Sequence, residues 1–244
     1  MYPYKLTYSG PTLNAWNDLH TLFKDPVTHP QDSPPLPVEC CLIIDSGYSH
    51  TTVTPVYNGQ PLHRAIRRLD IGGKFLTNYL KEMISIRHYN LLDETYLTNE
   101  VKETACFVSD DFSRDLDRTW KGIGVKKKFD QPGEGIAVDY FLPDYSGLKA
   151  GYMKPHDPDL MIKKRKGMAG TGEVVDNYMT LGNERFTVPE LLFNPGDVGM
   201  KQAGIHEIVM QSLSKLPPGL WPVMLANILV VGGNAKIPGF MERL

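Results

Sequence analysis

The chain has 244 residues, 41% apolar and 22% charged, with a formal net charge of −2. This suits one large or two modest globular domains and gives no reason to expect a polyanion-binding protein as a whole, though local patches stay open. A membrane span needs about 18 consecutive apolar residues, which the sequence lacks, and the start MYPYKLTYSG has no basic region followed by an apolar core, as a secretory signal would.

Three cysteines, Cys40, Cys41 and Cys106, make a poor disulfide framework and point to a reducing compartment, so an intracellular, soluble chain is expected. Leu13, Trp16, Leu19, Leu22 and Phe23 fall at helical spacing, and prolines then accumulate from Pro26 to Pro37 as a connector. An apolar run, Leu42 to Ile44, stops at Asp45-Ser46-Gly47 and is followed by a hydroxyl-rich strand containing Val53, Val56 and Tyr57. Asn58-Gly59 is a strong turn signal, and His63 to Leu69 is read as a third strand.

Gly72-Gly73 introduces a helix whose face carries Phe75, Leu76, Tyr79, Leu80, Met83 and Ile84. A second helix is predicted over about 97–108, with Leu97, Val101, Ala105 and Val108 on one face. From about 120 to 180 the periodicity fades, and two stretches, about 121–135 and 154–176, read as surface insertions joined by the short element IAVDYFLPDY. Ile205, Ile208, Val209, Leu213 and Leu216 trace another helix, and a short helix at 220–225 leads into the strand ILVV and the turn Gly232-Gly233-Asn234.

Two places share one design, an apolar strand that stops at a glycine-bearing polar turn: LIID-SG and ILVV-GGN. Glycines let backbone N–H groups approach an anion, and a plain tight turn uses the same residues. Asp45 is suited to the water shell of Mg²⁺ or to an Asx-turn. The seven histidines form no zinc spacing, and Ser46 has no GxSxG context for a nucleophile. Lys102 and Glu103 read as a solvated helix face, and Lys163, Lys164, Arg165 and Lys166 as a basic patch for nuclear import or nucleic acid, or simply as solvated charge.

Taken together, LIIDSGYSHTTVTPVYNG, HRAIRRLDIGGKFLTNYL, NEVKETACFVSDDF, GNERFTVPELLFNP, GIHEIVMQSL and NILVVGGNAKIPGF resemble successive segments of the actin family in the same order. The resemblance implies an α/β, actin-like (ribonuclease H-like) fold, here partial: a mixed sheet flanked by helices plus an inserted α+β subdomain. On this reading residues 1–35 are a remnant of subdomain 1 with a linker. Residues 36–71 and 201–244 form subdomain 3, and 72–200 form subdomain 4 with the two insertions. Asp45, Ser46 and Gly47 match the second phosphate hairpin, with Asp45 facing the metal through water. Lys102 and Glu103 match the adenosine pocket, and Gly232, Gly233 and Asn234 the loop beneath the nucleotide.

Two residues depart from the pattern: Tyr48 stands where actin has a second metal-facing aspartate, and Thr52 where it has a water-ordering histidine. Hydrolysis is therefore expected to be slow or absent, and the chain is expected not to be an enzyme. The first phosphate hairpin and the part of actin beyond the GGN region have no counterpart, so Met1 is expected to be an internal or mis-assigned start and Leu244 an early stop. Mg-ATP or ADP is expected in the complete protein and no nucleotide in this chain alone. DSGYS, LPDY and the lysine-rich insertion are most similar to a nuclear actin-related subfamily, subunits of Swr-type chromatin remodelling complexes. That implies a non-catalytic scaffold beside a HIT-type zinc-finger subunit and a motor ATPase, acting indirectly on a nucleosome and its Z-type histone variant. The location implied is the nucleus with a cytoplasmic pool, and no membrane. The alternatives are an ATP hydrolase or sugar kinase of the same fold, and a filament-forming actin.

Overall fold

The computed structural model describes residues 40–120, 135–144, 150–168 and 176–244. The helix and proline connector read in the first 35 residues, and nearly all of the 121–135 insertion, lie outside them. The described chain divides into two compact units. The first holds residues 40–75, 191–236 and Leu244; the second holds 76–190 and 237–243.

The first unit is built on a five-stranded sheet. Strands β1 (Cys40–Ser46), β2 (Thr51–Tyr57), β3 (Gln60–Pro61) and β8 (Ile228–Val231) run in the order β3-β2-β1-β8, and β4 (Arg67–Leu69) also pairs with β2. β1 is antiparallel to β2 and parallel to β8, so the sheet is mixed. Every residue of β1 is buried except Asp45, as the unbroken apolar run of a strand covered on both faces requires. Leu42 and Ile44 share one face, Cys41 and Ile43 the other, where Val56, Leu229 and Val231 join them. A parallel β1–β8 pair needs a crossover, and α6 (Ile205–Leu213) and α7 (Trp221–Ala226) are part of it, packing on β2 with β4 and on β1 respectively. Asn58 (φ 48°) and Gly59 (φ 70°) both have positive φ, the backbone of a tight two-residue hairpin.

The expected third strand is shorter than read. Leu62 donates its N–H to the Pro55 carbonyl, which places Pro55's missing N–H on the same side of β2. The ladder breaks there into β3 and β4, with a 3-10 turn at His63–Ala65 between them.

The second unit holds most of α1 (Gly73–Arg87), α2 (Thr95–Ala105), α3 (Phe112–Trp120), a three-stranded antiparallel sheet, α4 (Leu160–Met168) and α5 (Glu184–Glu190). The sheet runs β6-β5-β7, from β6 (Tyr152–Pro155), β5 (Val138–Phe141) and β7 (Tyr178–Leu181). Leu76, Leu80, Ile84, Val101, Tyr140 and Phe186 are fully buried here. Glu190 is buried and held by Arg243 through two bonds, of 2.9 and 3.2 Å.

Three readings are corrected in this unit. The second helix ends at Ala105, because Cys106 turns extended and the N–H groups of Phe107 and Val108 go to the carbonyls of Arg185 and Pro238. Helix α3 was not read at all, although Asp111 accepts from the Arg114 N–H at 3.1 Å in the manner of an N-cap. The stretch from 154 is not a plain surface loop: residues 154 and 155 belong to β6, and Leu160–Met168 is helical.

Candidate functional site

The end of β1 and the start of β2 are joined by residues 47–50, closed by the Gly47 N–H donating to the His50 carbonyl at 3.1 Å. Beneath this turn runs a one-directional chain of hydrogen bonds. Asn234 Nδ2 donates to Ser46 Oγ (3.1 Å), Ser46 Oγ pairs with Thr51 Oγ1 (3.0 Å), and Thr51 Oγ1 donates to the Ile71 carbonyl (2.9 Å). Since Thr51 spends its proton on Ile71, Ser46 must donate to Thr51 and accept from Asn234. All three side chains are buried, Ser46 and Thr51 wholly so. The Ser46 hydroxyl is thus committed inside the fold.

Asn234 also donates to the Gly47 carbonyl at 2.9 Å, and the start of α1 adds two bonds: Gly73 N–H to the Gly47 carbonyl (3.0 Å) and Lys74 N–H to the Tyr48 carbonyl (2.8 Å). A trans peptide holds its C=O and N–H in opposite directions. With the carbonyls of Gly47 and Tyr48 turned toward α1, the N–H groups of Tyr48 and Ser49 are turned away from it. Neither they nor the His50 N–H meet an acceptor among the described residues.

Two glycines make this closeness feasible. A Cβ at Gly72 would lie 2.6 Å from His50 N and Tyr48 O, and one at Gly232, where φ is +99°, would lie 2.2 Å from the Ser46 carbonyl oxygen. Gly233 has open space about it.

Asp45 lies opposite Thr52 in the ladder, its carboxylate alongside Gly47. It makes no side-chain hydrogen bond among the described residues, so the Asx-turn is not formed. Desolvation raises its pKa above the ordinary carboxylate value, and His50 draws it partly back. Tyr48 is 59% exposed at the tip.

Lys102 and Glu103 belong to the second unit and are described by themselves. Lys102 does not lie on a solvated face: it is buried, and Nζ donates to Thr77 Oγ1 and Asn99 Oδ1, each at 2.9 Å. Burial pushes its pKa below the usual lysine value, with Glu103 pulling the other way. Asn99 Nδ2 donates to exposed Glu103 at 2.7 Å, so one amide ties the two charges together. The basic run is divided by its helix. Lys163 pairs with Asp157 at 2.5 Å, which holds that carboxyl below its ordinary range, and Lys164 donates to Asn177 and lies over the Tyr178 ring. Arg165 and Lys166 are exposed.

The first unit thus brings Asp45, Ser46 and Gly47 together with Gly232 and Asn234. Reading the sequence missed Thr51, Gly72, Thr77 and Asn99, which brace these residues. The doublet Gly72-Gly73 carried a signal, though as a helix entry rather than a close approach. Chemically, outward N–H groups on a glycine turn fit an anion such as a phosphate. The metal fits less well, because the hairpin supplies one carboxylate, Asp45, and a neutral phenol at Tyr48. Thr52 offers a hydroxyl, a far weaker proton acceptor than an imidazole.

Comparison with known proteins agrees with this architecture. The family described as Actin matches residues 3–244. The chain is 59% identical over 239 residues to the actin-like protein arp6 of Emericella nidulans, covering 97% of this chain and 50% of that protein. It is 50% identical over 236 residues to actin-related protein 6 of Neurospora crassa, covering 96% and 51%. With actin-related protein 6 of Drosophila melanogaster it shares 42% identity over 204 residues, covering 84% and 47%. The chain spans about half the length of the curated relatives it matches. A mixed sheet flanked by helices, reached by a continuous match over nearly every residue, is a partial actin-like fold, and the chain belongs to the actin family.

Proposed function

We propose that this actin-related chain serves as a non-catalytic scaffold in a nuclear chromatin remodelling complex. That complex exchanges an ordinary nucleosomal histone for its Z-type variant, supporting transcriptional regulation and chromosome stability. The likeness to proteins named actin-related protein 6 supports the reading. The observation that carries it is the pair Tyr48 and Thr52: the hairpin keeps its anion-facing backbone while a phenol and a hydroxyl replace the groups that would place a metal and orient a water. Remodelling work then falls to a separate motor ATPase.

On this reading subdomain 3 (36–71 and 201–244) corresponds to most of the first unit and subdomain 4 (72–200) to most of the second, although residues 72–75 and 191–200 fall in the first unit and 237–243 in the second. Asp45, Gly47 and Gly232, with Lys102 and Glu103, belong to a degenerate nucleotide site in the complete protein. Ser46 and Asn234 serve it from beneath as braces. When bound, a nucleotide acts as a conformational strut, and the chain's own part is to hold it.

Partner contact falls to the inserted stretches at about 121–135 and 154–176, the second of which includes residues 154 and 155 of β6 and the helix α4. The nearest partners are a HIT-type zinc-finger subunit and the motor ATPase, with the nucleosome contacted indirectly. Affinity capture of the tagged protein from nuclear extract tests this. Recovery of the motor, the zinc-finger subunit and variant histone is expected, and deletion of the first insertion and of the part of the second beyond α4, which leaves β6 and the Asp139 contacts in place, should release a partner while the fold is kept. Capture that leaves the remodelling subunits behind, or partner binding that survives both deletions, overturns the scaffold reading or its docking surface respectively.

A further inference from the structure

We infer that the outer edge of β6 is a docking site for an extended acidic segment of another protein, which joins the second unit's sheet as a fourth strand. The inference goes beyond the remodelling reading and does not rest on it.

The register decides which way the backbone of β6 points. The His156 N–H donates to the Ala137 carbonyl at 3.3 Å, and further along β5 Asp139 lies opposite Lys154 and Phe141 opposite Tyr152. Bonded pairs recur at every second residue of an antiparallel ladder, so residues 152, 154 and 156 turn to β5, while Met153 and Pro155 turn outward. Neither the N–H nor the carbonyl of Met153 meets a partner among the described residues, and Pro155 has only a carbonyl to offer. On the opposite edge, by contrast, His88 Nε2 donates to the Thr180 carbonyl of β7 at 2.8 Å. All four residues of β6 are exposed, Met153 to 43%.

Rings and charge select the occupant. Tyr152, Phe141 and Tyr178 stand in one row across the three strands, with Phe141 and Tyr152 stacked at 4.8 Å. Lys154 Nζ lies over Phe141 (5.3 Å) and Tyr152 (5.2 Å), and Lys164 Nζ over Tyr178 (5.4 Å). Neither ammonium group meets a carboxylate among the described residues. The rings already engage one another and the lysines, so a carboxylate that reaches those lysines fits this face better than a base seeking an open ring.

A lysine on an edge strand also bars the wrong partners. Two β6 edges side by side would bring Lys154 toward its own copy, like charge against like. The stretch 121–134 of this chain carries Lys121, Lys126, Lys127 and Lys128 against Asp130 and Glu134, again the sign of Lys154. An acidic strand from another protein has the complementary sign, and its backbone can pair with Met153 while its side chains meet Lys154.

The test uses a blocked synthetic peptide of alternating glutamate and valine, about ten residues long, titrated into the intact protein and followed by fluorescence anisotropy and amide exchange. At saturation the Met153 amide should exchange at least about fivefold more slowly. Lys154→Glu should weaken binding at least about tenfold, and should bind a lysine–valine peptide better than the native protein does, which also shows the variant to be folded. Methylating the peptide nitrogens that would face β6 should cost at least about tenfold as well, because it removes the backbone pairing and leaves the charges. Equal binding by the native protein and Lys154→Glu, or an unprotected Met153 amide, overturns the inference. So does an oligothymidine that binds more tightly than the acidic peptide and depends on Lys154, which would assign the surface to nucleic acid. The remodelling reading is tested separately by affinity capture and stands or falls whichever way the peptide behaves.

Discussion

Removing the Asn234 amide tests whether the hairpin is held from beneath. Asn234→Ala deletes two hydrogen bonds, to Ser46 Oγ and to the Gly47 carbonyl, at a side chain only 4% exposed. Ser46 keeps the bond it donates to Thr51, and the Gly47 carbonyl keeps the Gly73 N–H as its donor, so neither group is left without a partner. At about 1 kcal/mol net for each bond, with a small further loss of packing, the expected cost is about 2–3 kcal/mol. Ser46→Ala loses its bonds to Asn234 and Thr51 and should cost about 1–2 kcal/mol. Because the Asn234–Ser46 bond belongs to both, the double variant should cost about 1 kcal/mol less than the sum. Denaturant unfolding of the four proteins at equal m gives these values, and amide exchange at Gly73 should quicken in Asn234→Ala. Additivity within about 0.3 kcal/mol, or a loss below about 1 kcal/mol for Asn234→Ala, would refute the brace.

Other outcomes follow from the same contacts. Gly232→Ala combines a φ of +99° with a Cβ 2.2 Å from a backbone oxygen, so it should cost about 3 kcal/mol or more, while Gly233→Ala should stay within about 0.5 kcal/mol; thermal unfolding compares them. Buried Asp139 accepts from His156 (2.9 Å), the Asp157 N–H (2.9 Å) and Thr180 (2.6 Å), so Asp139→Ala should cost about 3 kcal/mol and loosen residues 156–168 in hydrogen exchange. Lys102 has a folded pKa below its unfolded 10.5, so between the two values the unfolded chain holds more protons and stability rises with pH. Urea midpoints should show that alkaline rise in the native protein and a flatter course in Lys102→Met. Burial raises the Cys41 thiol to about 11 and the Cys106 thiol to about 12, so thiol reagents at neutral pH should label them only on unfolding.

Much of the first unit is legible in the sequence because its elements advertise themselves locally. The run Cys40–Ile44 is continuous because β1 is covered on both faces, and Asn58-Gly59 specifies its own turn. The brace is not legible, because Asn234 and Ser46 are 188 residues apart and each is an unremarkable polar residue beside a glycine. Lys102 looks solvated by composition, yet it lies among the buried positions of α2 and finds Thr77 and Asn99 as partners. Strand β6 is exposed at all four residues, so it shows no alternation to read, and α3 is largely polar, its start marked only by Asp111. The anion-facing turn could be read as a candidate from its glycines. Which N–H groups face outward depends on Gly73 and Lys74, which only the folded chain brings to it.

The pairing of β1 with β8 also sets an order of events. Asn227 bonds the Cys40 carbonyl across 187 residues, so the first sheet cannot close until synthesis has reached β8. The second unit waits too, since Glu190 takes its partner from Arg243. Chain-closure entropy alone adds little, about 0.6 kcal/mol for each doubling of the loop, but the delay leaves β1 and β2 as an unfinished sheet while the intervening chain emerges. During synthesis the apolar strand Cys40–Ile44 is therefore a nascent segment without its parallel neighbour, and the yield of folded protein should depend on how quickly, and under whose protection, that neighbour arrives.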